Sequence, residues 1–581
     1  MRTKRRGTNS LGWLLAALAA VTLAPPAARA VTVVPVLLRT HVGATSGESL
    51  GWAVSVLGDV NGDGINDYAV GEPDATTAAG AGAGRVTVFD GATGAIVYTI
   101  DGTIPIDPPQ GLFGAGGRLG ATIAPVGDWD ADGRADFAVA EPATFAYIYG
   151  GLPGAVHVYS GATGSVILTI PGHLQSDVSG TFSEYFGWSI SSVADLDGDG
   201  ASDLVVGTPY GGVGGTPPIT YNTGRVYAYS GATGTQLYSK TGYFSCDSVH
   251  GPCTADPAFG MSVLGVGDLD ADGSGDFMVG APYQYYVPGG PITVAGSVDV
   301  FSGATGSLLA QIEGDGANGF LLPGLSLAHL GDLTGDGVSD WGILAADASL
   351  TGPAVAVYAA ALPPFVGITY PPSTSGGFGT TTGSSNLSYL TDVDADGVPD
   401  AIVGDARFDG AAGTDSGAVH ILDDAGGVLL TIEGSTAGAG FGASVSGIGD
   451  LNGDGWKEFL VGEVDPFSLT PTGAVDRAYV YTLVPPCADR DGDGWGVNGS
   501  YDCPNPGVAD CDDANAAVNP GALEIPFNGI DDDCDGSTPG GCAPQATVPV
   551  DGSAMRAAAA LAPYLLPIAG LVVLGLRRRR R

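Results

Sequence analysis

Short apolar runs of four to six residues, separated by turns rich in Gly, Pro and Asp, recur along most of the chain. Runs of this length, built from Val, Ile, Tyr and Phe, predict β-strands. They fall into a fixed order. A first strand opens at Leu50-Gly51, Leu119-Gly120, Phe186-Gly187, Phe259-Gly260, Pro323-Gly324, Gly383-Ser384 and Phe441-Gly442. Nine residues on comes an acidic turn, Asp-x-(Asp/Asn/Thr)-x-Asp-Gly-x-x-(Asp/Glu), starting at Asp59, Asp128, Asp195, Asp268, Asp332, Asp392 and Asp450. A second apolar run follows, ending in Val-Gly-Glu-Pro (70–73), Val-Ala-Glu-Pro (139–142), Val-Gly-Thr-Pro (206–209) or Val-Gly-Ala-Pro (279–282). Third strands are predicted at 84–89, 154–159, 224–229, 296–301 and 417–422. A tight turn such as Ser160 to Gly164 then leads to a fourth strand, Val166 to Ile170 in that copy.

Four short strands repeated every 58 to 73 residues correspond to the blades of a β-propeller. The last copy stops after its third strand, 474–484, and an orphan strand, Val33 to Val42, precedes the first copy. A ring must join its ends to avoid an exposed sheet edge. The expectation is an all-β, seven-bladed propeller over 31–484 whose N-terminal strand closes the last blade.

Composition agrees, with 97 Gly and 39 Pro in 581 residues. The two ends differ. Residues 1–30 combine Arg2, Lys4, Arg5 and Arg6, an apolar run from Leu11 to Ala24, and Ala28-Arg29-Ala30, the pattern of a cleaved signal peptide. Residues 557–576 form an apolar stretch long enough for a transmembrane helix, followed by a basic cytoplasmic tail, Arg577 to Arg581. This end resembles the C-terminal sorting tags of bacterial surface proteins. An exported protein of the bacterial cell surface, outer envelope or extracellular space is expected, with membrane contact through that helix. Eleven of the 21 Lys+Arg lie in 1–30 and 556–581 and all 62 Asp+Glu lie between them, so 31–555 carries a net charge of −52. Such a charge excludes nucleic acid as a partner and destabilises a compact state unless cations bind.

The acidic turns supply the place for those cations. In the first, the side chains of Asp59, Asn61, Asp63 and Asp67 and the carbonyl of Ile65 offer hard oxygen ligands at alternating positions. The corresponding groups are Asp128, Asp130, Asp132, Arg134 (carbonyl) and Asp136, then Asp195, Asp197, Asp199, Ala201 (carbonyl) and Asp203, then Asp268, Asp270, Asp272, Ser274 (carbonyl) and Asp276. Copies five to seven offer Asp332, Thr334, Asp336, Val338 (carbonyl) and Asp340; Asp392, Asp394, Asp396, Val398 (carbonyl) and Asp400; and Asp450, Asn452, Asp454, Trp456 (carbonyl) and Glu458. An EF-hand would need a carboxylate at position twelve, where this chain has Val70, Val139, Val206, Val279, Ile343, Val403 and Val461. Two carboxylates about 4 Å apart repel by roughly 4 kcal/mol at an effective dielectric near 20. Oxygen-only ligation favours Ca²⁺, about seven ions in the propeller, in a structural role.

Phe-Gly, the acidic loop and Gly-Ala-Pro in this order resemble the FG-GAP repeats of integrin α-subunit propellers, over about 33–484. The resemblance implies a calcium-binding surface propeller acting in adhesion or ligand binding. Other FG-GAP proteins are enzymes, including a phospholipase D, which makes a secreted hydrolase or lyase the alternative. The six histidines are scattered, and no nucleophile elbow or zinc-binding histidine pair is visible, so a non-enzyme is expected. In an up-and-down blade the acidic loops and Gly-Ala-Thr-Gly turns share one face, leaving the long connectors for the other. That second face should take a protein or carbohydrate ligand. Its aromatics (Phe145, Tyr147, Tyr149, Tyr210, Tyr221, Tyr243, Phe244, Tyr283, Tyr285 and Tyr286) either meet the ligand or pack the loops together. Cys246 and Cys253 should pair within one connector.

Beyond the ring, 487–542 holds five Cys and twelve Asp+Glu. Too polar for a hydrophobic core, it needs disulfides or metal. Asp489, Asp491 and Asp493 repeat the alternating-oxygen pattern. Asp510 to Asp513 and Asn528 to Gly536 resemble an Asp/Cys-rich metal-binding motif of bacterial surface proteins. The pairing of Cys487, Cys503, Cys511, Cys534 and Cys542 is open, with Cys542 the candidate for the unpaired thiol. A linker, 543–556, follows.

Overall fold

The computed structural model describes residues 33–484 outside 105–115, 143–153, 215–220, 243–257, 287–292, 315–320, 333–338, 347–352, 359–366, 370–385, 394–397, 424–426, 452–456, 465–475 and a few shorter gaps. Beyond these it describes 494–495, 511–512, 515–523 and 533–534. Two compact units separate at Pro486 and Cys487.

The first unit is an all-β propeller. Seven four-stranded antiparallel sheets follow one another. Sheet one is Ala53–Gly58, Asp67–Glu72, Arg85–Phe89 and Ile96–Asp101, and sheet two is Ile123–Gly127, Asp136–Glu141, Ala155–Tyr159 and Val166–Pro171. Sheet seven takes Phe441–Gly449, Glu458–Glu463 and Arg477–Val484 from the C-terminal end and Val34–Val42 from the N-terminal end, paired antiparallel from Val34↔Val484 to Val42↔Arg477. The orphan strand thus completes the last sheet. First strands of successive sheets contact one another around the circuit, and that of sheet seven returns to sheet one.

The inner strands are buried because neighbouring sheets stack face to face. Second strands are the most enclosed, with Asp67–Glu72, Asp136–Glu141, Asp203–Thr208, Asp276–Ala281, Asp400–Asp405 and Glu458–Glu463 buried at every residue. The Leu-Gly and Phe-Gly glycines adopt one conformation, φ +88 to +91° at Gly51, Gly120, Gly187, Gly260, Gly324 and Gly442, which L-residues rarely reach. The second-strand glycines leave room for the next sheet: a Cβ on Gly71, Gly207, Gly280, Gly404 or Gly462 would stand 2.0 to 2.3 Å from the carbonyl oxygen of Gly120, Gly260, Gly324, Gly442 or Gly51. The two glycines of the repeat are therefore halves of one sheet-to-sheet contact.

Hydroxyl groups stitch the same seam. Ser189, Ser262 and Ser444 donate to the carbonyls of Gly260 (3.0 Å), Gly324 (2.7 Å) and Gly51 (2.7 Å) on the following sheet. Farther out, the hydroxyls of Tyr98 and Tyr238 donate to Gly161 and Gly303, in the Gly-Ala-Thr-Gly turns of the next sheets. The first strands line an axial cavity of about 420 Å³ with a mixture of hydroxylated and aliphatic side chains, and His329 is on its wall.

Among the described residues no helix is long and apolar enough to cross a membrane; the apolar run 557–576 and its basic tail lie outside them, as does the signal segment 1–30. In the second unit Cys511 and Cys534 form a disulfide with Cα atoms 5.6 Å apart, and a turn over 515–522 buries Val518. Cys246, Cys253 and Cys542 lie outside the described residues.

Candidate metal centres

Four acidic loops, those beginning at Asp59, Asp128, Asp195 and Asp268, are described throughout. Each links the first strand to the second of its sheet and is wound by its own backbone. The position-one carboxylate accepts the N–H of position six, at 2.9 Å in Asp59–Gly64, 3.0 Å in Asp128–Gly133, 2.7 Å in Asp195–Gly200 and 2.9 Å in Asp268–Gly273. The position-five carboxylate accepts the N–H of position seven, as Asp132 does from Arg134 and Asp272 from Ser274, both at 2.9 Å. Gly64, at φ +89°, allows the reversal that brings these oxygens inward.

Position nine has a role that sequence reasoning missed. Asp67, Asp136, Asp203 and Asp276, expected as ligands, are 0% exposed. Each clamps two turns together. One oxygen of Asp136 accepts the N–H groups of Trp129 (2.7 Å) and Asp130 (3.2 Å), and the other accepts that of Gly161 (2.8 Å) in the turn between strands three and four. Asp67 does the same with Val60, Asn61 and Gly91, and Asp203 with Leu196 and Gly231. These bonds put the acidic loops and the Gly-Ala-Thr-Gly turns on one face. The repeated Gly after Ser or Asp in that turn was the available signal, because a side chain on Gly161 would collide with the backbone of Ala135.

Carboxylate oxygens converge in three loops. Asp128, Asp130 and Asp136 each place an oxygen within 4.8 Å of the others, as do Asp195, Asp197 and Asp199, and Asp268, Asp270 and Asp276. No basic side chain pairs with any of these nine carboxylates among the described residues. Burial pushes Asp203 up to about 6, against the N–H groups of Gly231 and Leu196 and helped by Asp197 and Asp199. Asp67, Asp136 and Asp276 are raised for the same first reason. Clustered hard oxygens with no counter-charge among the described residues fit a divalent cation.

Asn61 and Asp63 face each other in the first loop, where Asp63 Oδ2 accepts from Asn61 at 3.3 Å, and Ile65 donates its N–H to Asp63. In the third loop Ala201 likewise donates to Asp199. Of the later copies, Asp332, Asp340, Asp392, Val398, Asp400, Asp450 and Glu458 are described. The clamp persists there, with Asp400 accepting from Val393 and Glu458 from Leu451. Thr334, Asp336, Val338, Asp394, Asp396, Asn452, Asp454, Trp456, Asp489, Asp491 and Asp493 lie outside the described residues.

The opposite face carries the connectors. Three bear small hairpins, Leu174–Asp177 with Gly180–Ser183, Val213–Gly214 with Tyr221–Asn222, and Tyr285–Tyr286 with Thr293–Val294. Tyr210 packs against Tyr185 and Trp188, with ring centroids 5.0 and 5.8 Å away, which gives this aromatic the packing role. Phe145, Tyr147, Tyr149, Tyr243, Phe244 and Tyr283 lie outside the described residues. Sequence reasoning also passed over buried acids toward this face. Glu141 meets His157 at 3.2 Å, Glu463 meets Arg477 at 2.8 Å, and Glu184 accepts from Tyr227 at 3.0 Å.

Comparison with known proteins agrees with this geometry. A family profile described as "FG-GAP repeat" matches residues 50–89 and 186–229, and one described as "Putative metal-binding motif" matches 510–538, which contains the Cys511–Cys534 bridge. Integrin alpha-4 of Xenopus laevis is 35% identical over 169 residues, 28% of this chain and 15% of that protein. Integrin alpha-PS2 of Drosophila melanogaster is 37% identical over 101 residues (17% and 7%), and integrin alpha-V of Gallus gallus 28% over 235 residues (40% and 20%). The chain spans no more than 20% of the length of these relatives. It carries FG-GAP repeats in an integrin-α-like β-propeller, followed by a metal-binding motif.

Proposed function

We propose that the chain is an exported, seven-bladed, calcium-loaded propeller that acts in adhesion or ligand binding at a bacterial surface. Ca²⁺ sits in the acidic loops, held by the carboxylates of positions one, three and five and the carbonyl of position seven, with position nine as clamp and, in loops two and four, an added ligand. The observation that carries this reading is the recurrence of one hydrogen-bonded loop with three converging carboxylates and no resident counter-charge. Ions there offset the −52 charge of 31–555 and hold the loops in register, leaving the connector face to take an extracellular protein or carbohydrate. The integrin likeness supports binding over catalysis. The C-terminal segment sorts or anchors the protein, and Asp489, Asp491 and Asp493 extend cation binding into the second unit.

Melting in Ca²⁺ and in excess chelator tests the cation half. Each site filled at a hundred times its dissociation constant adds about 2.7 kcal/mol, so chelation should lower Tm by well over 10 °C. Superimposable curves would end the proposal. Calcium-dependent retention on a glycan or matrix-protein array tests the binding half, and turnover of phosphodiester or polysaccharide substrates would replace it with an enzyme.

A further inference from the structure

We propose that Arg134 is a built-in counter-cation that sets the affinity of the first acidic loop for its ion and links that loop to the second. This rests on the reading of the loops as cation sites.

Arg134 holds position seven of the second loop, where its carbonyl is the expected ligand, but its side chain leaves that loop for the first. Its Nη1 lies 3.8 Å from Asp59 Oδ2, a position-one carboxylate. The guanidinium fills the place that a side chain on Gly62 would take, with Nη1 1.3 Å from where a Cβ would stand. Backbones meet at the same junction, where Ala135 donates its N–H to the Asp59 carbonyl at 3.3 Å. Any Gly62 substitution would displace the guanidinium, so this glycine serves as its seat.

The rest of the molecule supplies the control. Gly275 donates to the Asp195 carbonyl at the same 3.3 Å, so loops three and four join as loops one and two do. Position seven of loop four is Ser274, too short to cross, and Gly198, the counterpart of Gly62, has nothing within 4 Å of its absent Cβ. The first loop is also the one described loop without a converging trio of carboxylates, since Asn61 replaces an acid and Asp59 faces the guanidinium. A fixed positive charge beside a ligand carboxylate repels an incoming divalent ion. When the ion is absent, it keeps Asp59 from repelling its neighbours.

Calorimetric Ca²⁺ titration of the full chain tests this, comparing wild type with Arg134→Gln, Arg134→Lys and Ser274→Arg. Arg134→Gln should tighten the weakest site roughly five- to tenfold, the effect of one unit charge on a divalent ion about 6 to 8 Å away at a water-like dielectric. Most of that gain should vanish in 1 M salt, where the Debye length falls to about 3 Å. Arg134→Lys should stay near wild type. Ser274→Arg, reaching over Gly198, should create a second weakened site. Isotherms unchanged by Arg134→Gln while the loops still bind would overturn the inference alone; should that variant fail to fold, an unchanged Ser274→Arg isotherm would do so. A wild type that takes up no Ca²⁺ would remove the cation reading first.

Discussion

Glu72 closes the second strand of sheet one with only 3% of its surface exposed. Its Oε2 is 3.9 Å from Arg85, and its Oε1 is buried with no hydrogen-bond partner. Burial, reinforced by Glu48, pushes the carboxyl up to about 7, and Arg85 opposes this only in part. An acid raised on folding lends stability that is complete below its ordinary value of 4.5 and is lost as pH climbs through 7. Glu72→Gln keeps the shape without the charge. Its Tm should match wild type at pH 4 and exceed it by several degrees at pH 8, and a gap that stays constant across that range would refute the assignment. The sequence showed Glu72 only as one letter of a Val-Gly-Glu-Pro strand end. That it is buried beside another acid depends on Glu48, 24 residues away in the chain.

At the scale of the elements, the strand order and the acidic turns were readable because side-chain period and turn chemistry are local properties. The reason for the paired glycines was not, since it lies between sheets. Gly462→Ala would place a methyl group 2.0 Å from the Gly51 carbonyl oxygen, at the seam where the last sheet meets the first. Backbone cannot yield there as a flexible side chain would, so a loss of about 3 kcal/mol or more is expected in chemical denaturation. Ser444→Ala, removing the 2.7 Å bond to that same carbonyl, should cost about 1–2 kcal/mol. If Ser444→Ala proves the more damaging, the hydroxyl bond rather than the glycine contact secures the seam. The clamping role of position nine was not legible for a similar reason: its ligand-like spacing is local, whereas the Gly91, Gly161, Gly231 and Gly303 N–H groups that bury it arrive from another turn.

For the whole molecule, closure is the feature on which all else depends. Sheet seven draws its outer strand from Val34–Val42, and Arg39 in that strand donates to the carbonyls of Gly91 (2.6 Å) and Ala92 (2.7 Å) in sheet one. The N-terminal strand thus binds two sheets. Deleting residues 31–42 should leave an unpaired edge on Arg477–Val484 and make the protein aggregate as it melts, measurable as a rise in light scattering over wild type. A deletion variant with unchanged scattering and an unchanged melt would show that the ring does not need this strand.

Strands, repeat, charge clustering, the spare N-terminal strand and the strand missing from the last copy were all legible in the sequence, because each follows from spacing along the chain. The tertiary structure decided which oxygens converge, which carboxylate becomes a buried clamp, and where one arginine reaches out of its own loop. Those outcomes depend on groups brought together from different sheets, at distances that no local pattern specifies.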